Sequence, residues 1–146
     1  MRVHYFAFGS NMSQPRMVAR IQEAEDLGQG SLEDWVFVCN KSGMDGSAKA
    51  NLVRRPGARV WGVVYRFPSS RLPELDIIEG GYRRVRVEVQ SHGHRLPCEA
   101  YCSDRLTDAP IPFGWYKDLM VAGAEQHGLP EQHIELLRTL PSRPPD

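Results

Sequence analysis

Apolar and polar residues along the chain repeat with two periods, one typical of β-strands and one typical of α-helices. The strand period is clearest in YRRVRVEVQ, residues 82–90, where three valines share one face and mostly charged side chains share the other. A short aromatic-rich run, residues 2–8, ends at Gly9 and predicts a strand that is buried on both faces or nearly so. Further runs give six or seven predicted strands in total, and they include residues 34–40, 48–53, 59–67 and 96–102.

The helical period predicts about four helices. The first begins near Ser13, which offers an N-cap hydroxyl, and it places Met17 and Ile21 on one face. The second lies within residues 67–78 and ends at Gly80–Gly81. The last two cover residues 114–128 and 130–140.

The predicted strands cluster in the middle of the chain instead of alternating with helices, which favours an α+β fold over a doubly wound one. Turn signals separate them at residues 41–47 and at Arg55–Pro56–Gly57. A small, mostly antiparallel β-barrel flanked by helices removes the edges that so many short strands create. We therefore expect one α+β domain over residues 1–140, followed by a frayed tail at residues 141–146.

The chain has 146 residues, with 18 Lys and Arg against 18 Asp and Glu, so its formal net charge is zero. No overall field draws it to nucleic acid or to a membrane, and we expect a small molecule or another protein as its ligand. No window approaches the ~20 apolar residues of a membrane span, and residues 1–4 lead into a strand instead of a signal peptide's apolar core. We predict a cytoplasmic location.

We predict that the three cysteines are reduced and pack as small apolar side chains. On one strand, Cys98 and Cys102 share a face but lie ~13 Å apart, which is too far for a disulfide. His92 and His94 flank a predicted hairpin turn and have no cysteine or carboxylate at metal-ligand spacing. We therefore predict no metal site.

The corner Gly9-Ser10-Asn11 is the first candidate for chemistry. A glycine between a strand and a helix lets successive backbone N–H groups point the same way, and the helix start adds a positive dipole, which suits an anion or an oxyanion. The corner lacks the GxGxxG and GxxxxGK[ST] patterns, which argues against a dinucleotide site and a phosphate loop. An ordinary tight turn with a capping serine is the alternative.

Glu79 is the second candidate, because it ends an apolar helix where the macrodipole is negative and gives a carboxylate no support. Apolar neighbours raise the pKa of such a carboxyl group toward the range useful for proton transfer at neutral pH. The alternative is a solvated side chain, or an ion pair with Arg83 or Arg84. Three tyrosines that follow turns or end strands can orient a polar ligand, or can be buried and bonded to the backbone, namely Tyr82, Tyr101 and Tyr116.

Four segments together resemble the γ-glutamylcyclotransferase family, in its order and approximate spacing: YFAFGSNM, VWGVVYRF, LDIIEGGYRRV and WYKDLMVAGAEQHGLPEQHIELL. The resemblance covers nearly the whole chain, and the sequence is similar to bacterial members of the family. The resemblance implies a small β-barrel flanked by helices. It implies that Tyr5 to Ser10 form the substrate-binding loop, that Glu79 is the catalytic acid/base and that Tyr116 lies in the substrate pocket. With the corner and the tyrosines added, the expected substrate-binding residues are Tyr5, Phe6, Ala7, Phe8, Gly9, Ser10, Asn11, Tyr82 and Tyr116.

The resemblance implies a cyclotransferase that releases 5-oxoproline and an amino acid or amine from a small γ-glutamyl substrate. Ring closure by the substrate's own α-amine needs no cofactor, and we expect a monomer or homodimer. One alternative is a cyclotransferase that acts on a γ-glutamylamine or on a γ-glutamyl-protected metabolite. The other is a non-enzymatic small-molecule binding domain of the same fold. The chain departs from the family at three places: Phe8 where the family often has tyrosine, Pro112–Phe113 where it has Pro-Ser, and the short gap between Glu79 and Tyr82. The gap borders the expected pocket, so it bears on substrate identity more than on the chemistry.

Overall fold

The computed structural model describes residues 1–146, and a closed barrel of five strands in the order β1-β3-β2-β4-β5 forms its centre. The strands are β1 (Arg2–Ala7), β2 (Glu25–Ser42), β3 (Ala48–Pro68), β4 (Arg83–Ser91) and β5 (His94–Cys102). The helices are α1 (Gln14–Arg20), α2 (Leu72–Ile78), α3 (Gly114–Gln126) and α4 (Glu131–Arg138), with 3₁₀ turns at Ser10–Met12 and Ser69–Arg71. Only β1 and β5 pair in parallel, which confirms the predicted α+β, mostly antiparallel barrel.

The predicted count of six or seven strands is wrong because two predicted strands are parts of β3. The predicted turn at Arg55–Pro56–Gly57 does not reverse the chain. It belongs to a bulge, in which the pairing of β2 with β3 shifts register between Glu33 and Trp35. Gly57 adopts φ 85°, and its N–H donates to the Asp34 carboxylate at 2.9 Å. A bulge inserts extra residues and bends a strand while the pairing continues on both sides, so turn residues here do not end the strand.

Helix α3 lies directly on the corner that follows β1. A Cβ atom at Gly123 would come within 2.4 Å of the Met12 carbonyl carbon, so only glycine allows the helix to approach the backbone this closely. Met17 and Ile21 are fully buried, as their spacing predicts. Ser13 precedes α1 as predicted, but its side chain makes no capping hydrogen bond, so the cap prediction is correct in position and wrong in mechanism.

Helix α2 and the turn after it bring Glu79 back to the corner. Leu75 is fully buried and anchors the helix, and its carbonyl accepts the Glu79 N–H at 2.8 Å. Gly81 then adopts φ 87°, which turns the chain into β4.

In the C-terminal segment, Arg143 exchanges backbone hydrogen bonds with Pro112 and Gly114, at 3.1 and 3.0 Å. All three cysteines are buried free thiols, and no helix has the length and apolar character needed to cross a membrane.

Candidate active site

A cavity of about 220 Å³ opens beside the corner between β1 and α1. Two predicted site residues do not line it: Phe6 points to the opposite side of β1 from Tyr5 and is fully buried, and Ala7 is buried as well. Eight of the ten predicted site residues line the cavity, namely Tyr5, Phe8, Gly9, Ser10, Asn11, Glu79, Tyr82 and Tyr116. The corner, the turn after α2 and the start of α3 therefore meet at one cavity.

The Glu79 carboxyl group is nearly enclosed, with 14% of its side chain exposed. Its Oε1 accepts a hydrogen bond from Asn11 Nδ2 at 2.8 Å and lies 3.7 Å from Arg20 Nη1. Burial raises the pKa of Glu79 above its ordinary value, and Arg20 and the Asn11 hydrogen bond oppose this shift. The alternative of a solvated Glu79, or of an ion pair with Arg83 or Arg84, is wrong. Glu79 is largely buried, and Arg83 and Arg84 lie instead beside the carboxylates of Asp104 and Asp76.

Asn11 links Glu79 to the floor of the cavity. Its Nδ2 also donates to the Tyr5 hydroxyl at 3.0 Å, and its backbone carbonyl accepts from the Tyr65 hydroxyl at 2.8 Å. The Asn11 side chain is therefore fixed from two sides. Its Oδ1 is buried and has no hydrogen-bond partner within the protein.

Gly9 is required by close packing. A Cβ atom there would lie 2.9 Å from Ala50 Cβ and 3.1 Å from the Tyr116 hydroxyl oxygen, so a larger residue displaces one wall of the cavity. The next residue, Ser10, accepts a hydrogen bond from Arg16 Nε at 3.1 Å. The 3₁₀ turn that begins at Ser10 leaves its first N–H groups without partners in the turn, as any helix start does.

The three tyrosines line the cavity, and their hydroxyls bond to the protein. The Tyr116 hydroxyl accepts the Ala50 N–H at 2.9 Å, and the Tyr82 hydroxyl donates to the Ala50 carbonyl at 2.7 Å. Tyr101 also reaches the cavity and donates to Asp76 at 2.6 Å. Burial raises the pKa of all three phenols, so they stay protonated. The hydroxyls of Tyr82 and Tyr116 hold Ala50 of β3 beside the cavity.

Four cationic residues of the cavity were not predicted: Arg16, Arg20, Lys41 and Lys49. The two arginines lie four residues apart on α1, directly after the corner, and this spacing was the one available signal. Lys41 begins the predicted turn at residues 41–47 and Lys49 lies just beyond it, and nothing in the local sequence shows that they face inward. Glu79 is the one carboxylate among the lining residues, and no cluster of three or more His, Cys, Asp and Glu side chains could hold a metal ion.

Known proteins are similar to this chain in both sequence and fold. The sequence model of the AIG2-like family matches residues 59–137. The γ-glutamylcyclotransferase of Homo sapiens is 30% identical over 146 residues, which cover 93% of this chain and 77% of that protein. The γ-glutamylcyclotransferase of Mus musculus is 29% identical over 148 residues, with the same coverage. A solved structure of a γ-glutamyl cyclotransferase superposes with a TM-score of 0.90 at 27% identity, covering 98% of this chain and 90% of that one.

The solved γ-glutamyl cyclotransferase shares the fold of this chain, in which a closed five-stranded barrel forms the centre. The chain belongs to the AIG2-like family, to which the resemblance with γ-glutamylcyclotransferases pointed. It is an enzyme of the γ-glutamylcyclotransferase type.

Proposed function

We propose that the enzyme closes the glutamyl group of a γ-glutamyl amide into 5-oxoproline and releases the attached amino acid or amine. The substrate's own α-amine attacks its γ-carbonyl, a new C–N bond closes a five-membered ring, and the original amide C–N bond breaks. The attacking amine loses one proton and the leaving nitrogen gains one, so no cofactor or protein nucleophile is needed. Intramolecular attack already gains from proximity, which leaves the enzyme to fold the substrate and to move this proton.

Glu79 carries the proposal, because it is a desolvated carboxyl group that shares one cavity with the corner after β1 and with the tyrosines. In its ionised form it takes the proton from the attacking amine, and in its protonated form it returns the proton to the leaving nitrogen. The contacts with Asn11 and Arg20 both involve Oε1, which leaves Oε2 for the substrate. A raised pKa suits both steps, because a group that titrates closer to neutral pH gives up and accepts a proton readily.

The groups around Glu79 supply the positioning in this mechanism. Asn11 Nδ2 holds Glu79 Oε1 in place, so that the carboxyl group is aimed at the substrate α-amine when that amine faces the γ-carbonyl. The backbone N–H groups from Gly9 to Asn11 bind either the developing oxyanion or the substrate α-carboxylate. Tyr82 and Tyr116 form the apolar walls that keep the folded glutamyl chain in place.

The experiment is incubation of the purified chain with γ-glutamyl amino acids, glutathione and γ-glutamylamines, with 5-oxoproline measured by mass spectrometry. We expect release from at least one γ-glutamyl compound at a rate far above the protein-free rate. An α-glutamyl dipeptide is the matched control, because its amine has no γ-amide to attack and it should release nothing. If a well-folded preparation releases 5-oxoproline from none of the compounds, the proposed function is wrong.

A further inference from the structure

The cations of the cavity are not balanced by carboxylates of the chain. Arg20 lies 3.7 Å from Glu79, and Lys49 Nζ lies 3.0 Å from Asp45 Oδ2. Arg16 and Lys41 also line the cavity, but their hydrogen bonds go to the uncharged Ser10 hydroxyl and the Gly80 carbonyl. Two cations of the cavity therefore remain without a carboxylate, and an anionic ligand would neutralise them.

Lys41 is the more deeply buried of these two cations. The residue is 5% exposed, its ammonium group lies 4.6 Å from the centre of the Tyr82 ring, and its one hydrogen bond, to Gly80, is 3.3 Å long. An ammonium group has three donors, so this contact leaves most of its capacity unused. Burial lowers the pKa of Lys41, and the positive charges of Lys49 and Arg105 lower it further, while Glu79 opposes the shift. Burying a charge is unfavourable unless a partner completes it.

The strand register makes the arrangement around Lys41 less favourable still. Lys41 on β2 stands directly opposite Lys49 on β3, and both side chains line the cavity. Like charges directly opposite each other on paired strands destabilise a sheet. Asp45 in the turn between these strands relieves Lys49 alone, since its Oδ1 is already bonded to the Ser47 N–H and hydroxyl, at 3.0 and 2.6 Å. An anion at Lys41 would relieve this repulsion.

Only one part of the substrate in the proposed reaction can supply an anion to Lys41. A γ-glutamyl group carries a single carboxylate, at its α-carbon, because the γ-carboxyl group is the amide. The corner N–H groups and Arg16, which are joined through Ser10, suit that α-carboxylate. Lys41 is then left for a second carboxylate, and the leaving group is the part of the substrate that can carry one.

We propose that Lys41 is a specificity-determining residue that binds a carboxylate on the leaving group, so that the enzyme favours leaving groups with an acid over the corresponding plain amines. The inference rests on the proposed function and decides between its two classes of leaving group. In this inference Lys49 contributes less to binding the carboxylate, because Lys49 already pairs with Asp45.

Two substrates that differ only in this carboxylate test the inference. We expect kcat/KM for γ-glutamyl-alanine to exceed that for γ-glutamyl-ethylamide by ~10-fold or more, as is usual for a charge-assisted hydrogen bond in a buried site. Lys41→Met should reduce this ratio to about threefold or less, with the loss falling mainly on γ-glutamyl-alanine. Lys41→Arg should retain part of it. The ratio does not depend on how much of the variant is folded, because both substrates are measured with the same preparation.

Lys49→Met is the matched control, since it removes the lysine opposite Lys41 and should keep most of the ratio. If it abolishes the ratio while Lys41→Met leaves it intact, the carboxylate binds at Lys49 and the inference is wrong. Equal rates on both substrates with the parent enzyme would also overturn it, while the proposed function would stand. If neither substrate is turned over, and neither binds to a Glu79→Gln variant in calorimetry, both the proposed function and the inference are wrong.

Discussion

Two groups of charged side chains in this enzyme have the same residue types and opposite surroundings. In the cavity, one enclosed carboxylate, Glu79, faces four cationic residues. On the surface of α3 and α4, Arg138 lies within 2.7 to 3.4 Å of three glutamates whose side chains are at least half exposed, namely Glu125, Glu131 and Glu135. The surface group therefore contains more acids than bases and is open to water, whereas the cavity contains more bases than acids and its one carboxylate is nearly enclosed.

The difference shows which charges indicate a ligand. Water and salt screen an excess of charge at the surface, so exposed ion pairs contribute little and their balance has little consequence. An excess of charge in an enclosed cavity is screened much less, and it persists in a stable fold when a ligand or an opposing group completes it. Burial combined with imbalance, and not the number of charged residues, distinguishes the cavity.

Glu79→Gln tests the cavity most severely, because it removes the one acid while it keeps the size of the side chain. We expect turnover to fall by ~10²-fold or more, in line with the usual contribution of general acid–base catalysis. The measurement is 5-oxoproline release from the best substrate, with circular dichroism to show that the fold is retained. Glu74→Gln on the preceding helix α2 is the matched control, since Glu74 is exposed and pairs with Arg71 outside the cavity. Near-normal turnover of a folded Glu79→Gln variant would remove Glu79 from the mechanism.

Gly9→Ala tests whether the charges of the cavity depend on its close-packed wall. The new Cβ atom would lie 2.9 Å from Ala50 Cβ, so Ala50 or Tyr116 has to move. We expect a loss of ~10-fold or more in kcat/KM from misplaced groups, and a loss of about 1–3 kcal/mol in the free energy of unfolding from overpacking. Gly114→Ala is the control, because a Cβ atom there meets nothing within 4 Å. Unchanged kinetics in Gly9→Ala would show that the wall adjusts without consequence.

The pH dependence of stability gives a smaller effect with a definite sign. The pKa of Glu79 is raised above its ordinary 4.5 in the folded state, so folding favours the protonated form. The stability that Glu79 contributes is complete below this ordinary value and is lost as the pH rises through the folded-state pKa. We therefore expect Glu79→Gln to become more stable relative to the parent as the pH rises from about 4 to about 8 in urea unfolding.

Arg20 sharpens this measurement, because its charge is the largest of the influences that lower the pKa of Glu79. In an Arg20→Met background, the pKa of Glu79 should rise further, and the two stability curves should diverge more between the same pH values. Curves that run parallel in both backgrounds would mean that Glu79 titrates alike in the folded and unfolded chains.

The parts of the fold and site that could be predicted from the sequence are those with a local signature. The glycine corner ends an aromatic strand, and Glu79 stands between an apolar helix and two glycines, so both were visible in short windows of sequence. The number of strands was overestimated because Arg55–Pro56–Gly57 has the composition of a turn and occupies a bulge. Composition reports which backbone angles a segment can adopt, but not whether pairing continues beyond it.

The cationic part of the site could not be predicted, because it depends on long-range pairing. Lys41 and Lys49 face the cavity only because β2 and β3 pair in one particular register, and a shift by one residue would turn both side chains outward. Phe6 illustrates the same limit in the opposite direction. It lies within the motif that carries the family resemblance, yet the alternation of β1 turns it away from the cavity that Tyr5 lines.

Arg138→Met should have the smallest effect, although it disrupts three ion pairs at once. Methionine keeps the length of the apolar stem, so the substitution removes the charge and preserves most of the packing. Because these pairs are open to solvent, we expect turnover to be unchanged and the unfolding temperature to shift by about 2 °C or less. Calorimetry in low and high salt measures the shift, and any difference should shrink in high salt. A loss of turnover comparable to that of Glu79→Gln would contradict the comparison, since charges outside the cavity would then control the reaction as strongly as those within it.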